Sequence, residues 1–263
     1  MSYAKINGFD MYYEVMGDGE PVVFVHGVGV TSRMWEFQKK AFSKEFKMII
    51  FDLRGSGKSS KTPEVYHTAE LLCEDLKGLL DFLNIKIVNI VGLSLGAAIA
   101  MKFAVEYPDS VKSLVISGAF IDFKRILSFT SRHFCGIIGK LLMTRVFGEM
   151  ATRIMLPSVS RKGLLYYHKN IINIDRDEVI KYEQILKSYS ITPALSKIKA
   201  KTLLVYGSRE LPFHKYGRAI HKYVKDSVMM IIPGVGHGWN GERPELFNKI
   251  VIDFIKSAQS NLC

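Results

Sequence analysis

The sequence has few cysteines and no long uninterrupted apolar run. Cys73, Cys135 and Cys263 stand far apart among the 263 residues and fit no metal-binding or redox spacing. We therefore expect reduced thiols, no bound metal and a cytoplasmic location. The longest apolar stretch, residues 87–101, is interrupted by polar residues and two glycines. An integral membrane association is not expected from such a segment.

The sequence also lacks a recognisable leader and has a deficit of acidic residues. Residues 1–10 are polar, without the apolar centre of a secretory signal, so none is expected. Lysine and arginine number 36 against 25 acidic residues, for a formal charge of +11. Because these cations are spread along the chain and no nucleic-acid-binding motif accompanies them, no nucleic-acid partner is predicted. The sequence leaves the oligomeric state and the role of the basic surface open.

The sequence contains enough hydrophobic residues to form the core of one large domain. Hydrophobic residues make up 48% and charged residues 23%, which is typical of a globular protein with a sizeable core. The length suits a single large α/β domain that carries an insertion. No internal repeat or low-complexity segment interrupts it.

Eight short runs rich in β-branched and aromatic residues predict strands, and helical patterns separate most of them. The predicted strands cover residues 3–6, 9–15, 21–25, 47–51, 87–91, 111–116, 202–206 and 228–232. The predicted helices cover residues 35–46, 68–83, 97–107, 216–224 and 244–256. Asn7-Gly8 between the first two runs predicts a hairpin. The later alternation predicts βαβ units, and hence a mostly parallel sheet with helices on both faces.

The alternation stops after Gly118 and resumes near residue 193. The intervening residues 119–192 have a helical pattern rich in large apolar and basic residues. We interpret this segment as a helical cap inserted after the sixth strand. Residues 1–118 and 193–263 then form the α/β core.

The pentapeptide Gly92-Leu93-Ser94-Leu95-Gly96 lies where a buried strand is predicted to pass into a helix. A serine on such a sharp turn exposes its hydroxyl above the sheet edge, and glycines on either side avoid collisions in the turn. Ser94 is therefore a candidate nucleophile.

A serine nucleophile needs a base, which a carboxylate must orient. Of the seven histidines, His237 is the best candidate, because it lies in a glycine-rich loop, residues 233–238, that leaves a predicted strand end. Such a loop lets an imidazole reach over the sheet edge.

Four motifs in order give the chain its resemblance to a known family. They are His26-Gly27, the D-x-R-G-x-G-x-S pattern of residues 52–59, the elbow at residues 92–96, and the segment from Gly236-His237 to Pro244. Together they resemble the α/β-hydrolase superfamily over nearly the whole chain outside the insertion. The resemblance implies a mostly parallel eight-stranded sheet with helices on both faces and a helical cap after strand 6.

The resemblance also implies roles for individual residues. Ser94 would attack an acyl carbon while His237 accepts and later returns its proton. The backbone N–H groups of Leu95 and Val28 would hold the oxyanion. His26 is interpreted as a structural anchor of its loop.

The acid departs from the commonest family pattern. The family usually carries G-x-x-D after the seventh strand, whereas this chain has Glu210 at the aspartate position. A glutamate can serve in the same order of triad residues. Asp122, which follows the sixth strand, is the alternative acid. Residues 52–59 lack the full phosphate-loop frame, so no nucleotide or other cofactor is predicted.

The predicted function is cleavage of a small to medium carboxylic ester by a serine hydrolase, through an acyl-enzyme. A serine at the elbow argues against dehalogenase and most epoxide hydrolase chemistry, which the family performs with aspartate. The alternatives are a cofactor-free lyase, a perhydrolase, a C–C bond hydrolase or a non-catalytic ligand-binding module. Apolar cap residues are predicted to roof an acyl pocket: Phe129, Leu141, Leu142, Met143, Phe147 and Met155.

Overall fold

A computed structural model gives the architecture of the chain. It describes residues 2–64, 66–122 and 188–259, together with 177, 178, 181, 182 and 185. Most of the predicted cap, including the six apolar residues expected to roof the pocket, lies outside the described residues. The division into core and cap therefore stays a prediction.

Eight strands form one sheet. They are β1 Ser2–Ile6, β2 Phe9–Met16, β3 Pro21–Val25, β4 Lys47–Phe51, β5 Val88–Leu93, β6 Val111–Ser117, β7 Lys201–Gly207 and β8 Ser227–Ile232. Their order across the sheet is β1-β2-β4-β3-β5-β6-β7-β8. Strands β3 to β8 run parallel, and β2 pairs antiparallel with both β1 and β4. The predicted mostly parallel eight-stranded sheet is confirmed.

The described helices cover both faces of this sheet. They are α1 Glu36–Phe42, α2 Ala69–Phe82, α3 Leu95–Glu106, α4 Leu211–Tyr223, α5 Trp239–Glu242 and α6 Pro244–Gln259. Helices α2, α3 and α4 pack with Val23 and Val25 on one face. Helices α1 and α6 pack with Val22 and Phe24 on the other. Alternate residues of a buried strand thus enter two separate cores, as the period of two requires. None of the described helices is long and apolar enough to cross a membrane.

The hairpin at the start of the chain follows the prediction. Asn7 and Gly8 both have positive φ, 43° and 86°, and Ile6 pairs directly with Phe9. Two consecutive residues of positive φ make a type I′ turn, whose twist matches that of the strands.

Two predicted helices differ most from the observed bounds. In place of the helix predicted over residues 35–46, the structure has a 3₁₀ turn, Ser32–Trp35, followed by the shorter helix α1. The 3₁₀ turn begins where the Thr31 hydroxyl accepts a hydrogen bond from the N–H of Arg33. The helix predicted from residue 216 begins five residues earlier, at Leu211. Pro212 in its first turn lacks an N–H, which an N-terminal turn does not need.

Residues 121 and 122, at one end of the predicted insertion, lie beside residues 190 and 191 at its other end. The N–H of Ile191 donates to the carbonyl of Ile121, and Asp122 forms an isolated antiparallel bridge with Ser190. The chain then returns through the 3₁₀ turn Thr192–Lys197 to β7. The sheet is therefore continuous across the insertion, with β6 next to β7.

Candidate active site

Ser94 lies between the last residue of β5 and the first residue of α3. Its backbone has φ 58° and ψ −115°, a conformation that side chains rarely adopt. Such a backbone costs about 1–3 kcal/mol and persists only when its surroundings enforce it. Ser94 remains partly exposed among buried neighbours, so its hydroxyl can be reached.

Both glycines of the pentapeptide are required for steric reasons. A Cβ on Gly96 would collide with the backbone carbonyl of Val25, on the neighbouring strand. A Cβ on Gly92 would stand 2.8 Å from the Cα of Ala97 in α3. Neither backbone contact can relax without moving a strand or a helix, so only glycine fits.

The helix that follows Ser94 leaves backbone donors for a ligand. The first four N–H groups of a helix have no partner within it. Here the N–H of Ser94 donates to the carbonyl of Ser117 at 2.9 Å, and that of Ala97 to the carbonyl of Ser94 at 3.0 Å. The remaining two are those of Leu95 and Gly96. Leu95 is the residue predicted to contribute to the oxyanion hole.

The loop after β3 lies against the nucleophile. A Cβ on Gly27 would be 3.4 Å from the Cβ of Ser94, so the loop passes directly beside this serine. Val28, the other predicted oxyanion donor, follows Gly27 and is half-buried against the core. Both predicted donors thus follow the carboxyl ends of neighbouring parallel strands, β3 and β5.

His26 anchors this loop. Its Nε2 accepts a hydrogen bond from the N–H of Leu53 at 2.9 Å, which leaves the proton on Nδ1 to bond the carbonyl of Gly27 at 2.8 Å. Burial lowers the pKa of His26, although the nearby Asp52 carboxylate opposes this shift. A neutral, fully bonded imidazole fits the structural role predicted for it.

The D-x-R-G-x-G-x-S segment forms a turn around the Asp52 carboxylate. One oxygen of the Asp52 carboxylate accepts from the N–H of Ser32 at 2.7 Å, and the other from the N–H of Lys58 at 2.8 Å. A Cβ on Gly57, whose φ is 55°, would collide with the same carboxylate. A backbone N–H of the turn, that of Lys58, therefore binds the aspartate at the start of the same turn.

His237 and Glu210 form the central polar pair of the site. The Nδ1 of His237 lies 2.5 Å from Oε1 of Glu210, whose other oxygen accepts from the N–H of Gly207 at 2.6 Å. The Glu210 side chain is 4% exposed and that of His237 is 21% exposed, so only the imidazole faces outward. The ring of Phe213 lies 5.5 Å from that of His237, centroid to centroid.

The loop carrying His237 is fixed at two points. The N–H of Gly236 donates to the Glu242 carboxylate at 3.2 Å. The indole Nε1–H of Trp239 donates to the hydroxyl of Ser117 at 2.8 Å. Burial raises the pKa of Glu242, while its bond to Gly236 opposes the rise. Both contacts hold the backbone on either side of the imidazole.

The alternative acid, Asp122, has backbone contacts at the edge of the predicted insertion. Asp122 forms the bridge with Ser190, and its backbone carbonyl accepts from the hydroxyl of Tyr216 at 3.0 Å. The structure brings Glu210 to His237, and it places Asp122 at the root of the insertion. Which carboxylate acts in a reaction stays a prediction.

The end of β6 contacts both the backbone of Ser94 and the ring of His237. The carbonyl of Ser117 accepts from the N–H of Ser94, and the next residue, Gly118, has the His237 ring directly over its Cα. Sequence reasoning did not single out Ser117, Gly118 or Trp239. A glycine directly after a predicted strand was the one available signal.

No group of three His, Cys, Asp or Glu side chains in the described part of the chain is arranged to hold a metal ion. Ser94, Glu210 and His237 follow the carboxyl ends of three parallel strands, β5, β7 and β8.

Comparison with known proteins agrees with this architecture. A family model described as the alpha/beta hydrolase fold matches residues 20–137. The 2-hydroxy-6-oxo-6-phenylhexa-2,4-dienoate hydrolase of Comamonas testosteroni is 25% identical over 280 residues, which cover 97% of this chain and 94% of that protein. The bromoperoxidase structure from Bacillus anthracis superposes with a TM-score of 0.85 at 25% identity, covering 97% of this chain and 99% of that one.

An esterase structure from Exiguobacterium antarcticum has a TM-score of 0.82 at 21% identity, covering 97% of this chain and 99% of that one, a likeness of fold. The sheet order, the family match and these relatives together identify the class as a hydrolase fold. The chain has the α/β-hydrolase fold, and its resemblance to the α/β-hydrolase superfamily is confirmed.

Proposed function

We propose that the protein is a serine hydrolase that cleaves a small to medium carboxylic ester through an acyl-enzyme. The observation that carries this proposal is the 2.5 Å contact between His237 and Glu210, at the strand ends that also hold Ser94. An acid-oriented imidazole beside a strained serine is what activates a hydroxyl for nucleophilic attack.

The hydrogen bond between His237 and Glu210 supports Nε2 of His237 as the base. An ionised carboxylate only accepts hydrogen bonds, so the Nδ1 that faces Glu210 carries the proton. The lone pair of Nε2 is then free to take the proton of the Ser94 hydroxyl. Glu210 itself is held by the N–H of Gly207, which fixes the direction of the imidazole.

The reaction then proceeds in two balanced halves. Ser94 Oγ bonds the acyl carbon as its proton passes to Nε2 of His237, and the carbonyl oxygen becomes an oxyanion. The intermediate collapses by breaking the bond to the alkoxy oxygen, which leaves as an alcohol with the proton from His237. Water repeats the sequence on the acyl-enzyme, releasing the carboxylic acid and restoring Ser94.

The oxyanion would be held by the N–H groups of Leu95 and Val28. The position of Leu95 in the first turn of α3, where N–H groups have no acceptor within the helix, supports the first donor, and the closeness of Gly27 to Ser94 supports the second. Removing one such donor costs about 10²–10³ in rate in serine hydrolases.

Labelling with a fluorophosphonate probe tests the proposal without knowledge of the natural substrate. We expect the wild-type protein to react at Ser94, and Ser94→Ala and His237→Ala to lose turnover of p-nitrophenyl esters by about 10³-fold or more. His221→Ala, which changes an exposed histidine of α4, is the matched control and should retain activity. Ordinary esterase activity in Ser94→Ala would refute the proposal.

The Comamonas relative favours one second candidate. The substrate in its name is an oxo-dienoate, a compound without an ester bond, so its hydrolysis breaks a carbon–carbon bond. A p-nitrophenyl ester series graded by acyl length, assayed beside that oxo-dienoate, separates the two functions. A labelled protein that leaves every ester intact but consumes the oxo-dienoate would favour C–C hydrolysis.

A further inference from the structure

We propose that the C-terminal end of β6, Ser117 with Gly118, sets the spacing between nucleophile and base, and that the missing side chain at position 118 makes room for a glutamate as the acid. The inference rests on the proposed function, in which Ser94, His237 and Glu210 act together. It concerns two positioning residues, neither of which touches the reacting atoms.

Ser117 joins the two halves of the site. Its carbonyl accepts the N–H of Ser94 at 2.9 Å, within the strained turn. Its hydroxyl accepts the indole N–H of Trp239 at 2.8 Å, two residues beyond His237. Ser117 is completely buried, so no water competes for either bond. One residue thus ties the backbone of the nucleophile to the loop of the base.

Gly118 supplies space at the next position. Its N–H donates to the carbonyl of Val205 at 3.0 Å, which fixes its backbone between β6 and β7. A Cβ there would lie 2.6 Å from Cε1 and 2.7 Å from Nδ1 of His237, and 3.0 Å from Oε1 of Glu210. Carbon atoms do not approach a ring this closely, so any side chain would displace the imidazole from its acid.

The backbone angle alone does not explain this glycine. Gly118 has φ 58°, but Asn7, Asn84 and Ser94 also have positive φ in this chain. A side chain at such an angle is strained yet tolerated. The collision with the acid–base pair is therefore the stronger reason for glycine here.

The space beside Gly118 also explains how a glutamate fits at position 210. Its side chain is one methylene longer than the usual aspartate, so its carboxylate must extend farther from the end of β7. In the structure that carboxylate lies with Oε1 beside Gly118 and Oε2 on the N–H of Gly207. The extra length is taken up in the volume that a side chain at position 118 would occupy.

The test compares Gly118→Ala with Gly8→Ala, a hairpin glycine with φ 86° and nothing within 4 Å of an added Cβ. Both variants strain the backbone, but only the first creates a collision. We expect Gly118→Ala to slow fluorophosphonate labelling of Ser94 by about 10- to 10²-fold, as small misplacements of catalytic groups do. Gly8→Ala should be labelled at the wild-type rate.

A spectroscopic readout separates positioning from loss of fold. The short Nδ1–H to Glu210 bond should give a far-downfield ¹H NMR signal in the wild type and in Gly8→Ala. Gly118→Ala should lose or shift this signal while circular dichroism remains native. An unchanged signal with wild-type labelling in Gly118→Ala would overturn the inference.

Ser117→Ala is the second arm, since it shortens a side chain and cannot collide with anything. It removes the acceptor of the Trp239 indole, so labelling should slow and the downfield signal should move. Wild-type labelling and an unmoved signal in this variant would contradict the role of Ser117.

The link to glutamate is tested by a double-mutant cycle. Glu210→Asp should cost less labelling rate when it is combined with Gly118→Ala than when it is made alone in the wild-type chain. Equal costs would contradict that link. If the wild type is not labelled at all, the proposed function fails, while the NMR signal still tests the placement of His237 against Glu210.

Discussion

At the scale of single residues, the site depends on which carboxylate faces His237. Glu210 immediately precedes α4, with its backbone outside the helical region at φ −89° and ψ 38°. From this position one carboxylate oxygen reaches the imidazole and the other returns to the N–H of Gly207. A longer acid can therefore occupy the usual place without a change in the strands.

Substitution of the two candidate acids is the corresponding prediction. Glu210→Ala should lower kcat for a p-nitrophenyl ester by about 10⁴, because the imidazole loses both its orientation and the stabilisation of its charged form. Asp122→Ala should leave kcat close to that of the wild type, since the contacts at the root of the insertion include its backbone carbonyl. A larger loss in Asp122→Ala than in Glu210→Ala would reverse the assignment.

At the scale of elements, the strands were predictable and the helix ends were less so. The strands are short runs rich in β-branched, aromatic and other large apolar residues, and all eight were found within one or two residues. The boundaries of α1 and α4 were missed because local contacts at helix ends do not show in the hydrophobic pattern. The 3₁₀ turn before α1 begins where the Thr31 hydroxyl accepts a backbone N–H, which hydrophobic periodicity does not record.

The site residues, too, were only partly predictable from the sequence. Motif spacing named Ser94, His237 and Glu210, because each follows a strand whose end is fixed by the sheet. The contacts of Ser117, Gly118 and Trp239 depend on the distance between loops that are far apart in the chain. Periodicity and motif patterns carry no such distances, so only the folded arrangement brings these residues together.

A buried ion pair holds the D-x-R-G-x-G-x-S segment to α2. Arg54 is completely buried, and its Nε and one terminal nitrogen each donate to the Asp75 carboxylate at 2.6 Å. A third bond reaches Glu64 at 3.0 Å, and the guanidinium lies 4.6 Å above the Phe9 ring. The planar guanidinium satisfies both carboxylate oxygens at once, which a lysine could not do.

We predict that Arg54→Met lowers the free energy of unfolding by about 3–5 kcal/mol, because the buried Asp75 charge loses its partner. The double variant Arg54→Met/Asp75→Leu should recover most of that loss, since neither charge then remains. Urea denaturation measures both. Lys77→Met, which breaks the exposed pair with Asp81, is the control and should change stability by about 1 kcal/mol or less. Equal stability of Arg54→Met and the wild type would contradict the prediction.

At the scale of the whole molecule, the buried His67 joins the core to residues near the end of the predicted insertion. The His67 side chain is completely buried, 3.5 Å from the Glu178 carboxylate and against the ring of Tyr182. The N–H of His67 donates to the carbonyl of Lys181 at 2.9 Å, and the ammonium of Lys181 donates to the carbonyl of Thr62 at 2.8 Å. These contacts fasten the described residues of the returning chain to the loop before α2.

The environment of His67 makes the stability of the fold depend on pH. Burial lowers the pKa of His67 from 6.5 to about 4, and the charges of Arg54 and Lys181 act in the same direction. The Glu178 carboxylate opposes the shift without reversing it. Between these two pKa values the unfolded chain binds a proton that the native protein does not. The stabilisation is therefore complete above pH 6.5 and is lost as the pH falls towards 4.

We predict that the free energy of unfolding decreases by up to about 1.4 kcal/mol per pH unit for each such histidine over this range. Burial lowers the pKa of His26 as well, so His67→Gln should reduce the slope without abolishing it. Urea unfolding at a series of pH values between about 7.5 and about 4.5 measures the slope. His221→Gln, at an exposed position of α4, should leave it unchanged. A slope in His67→Gln equal to that of the wild type would mean that the buried imidazole does not take up the proton on unfolding, and that other groups cause the acid sensitivity.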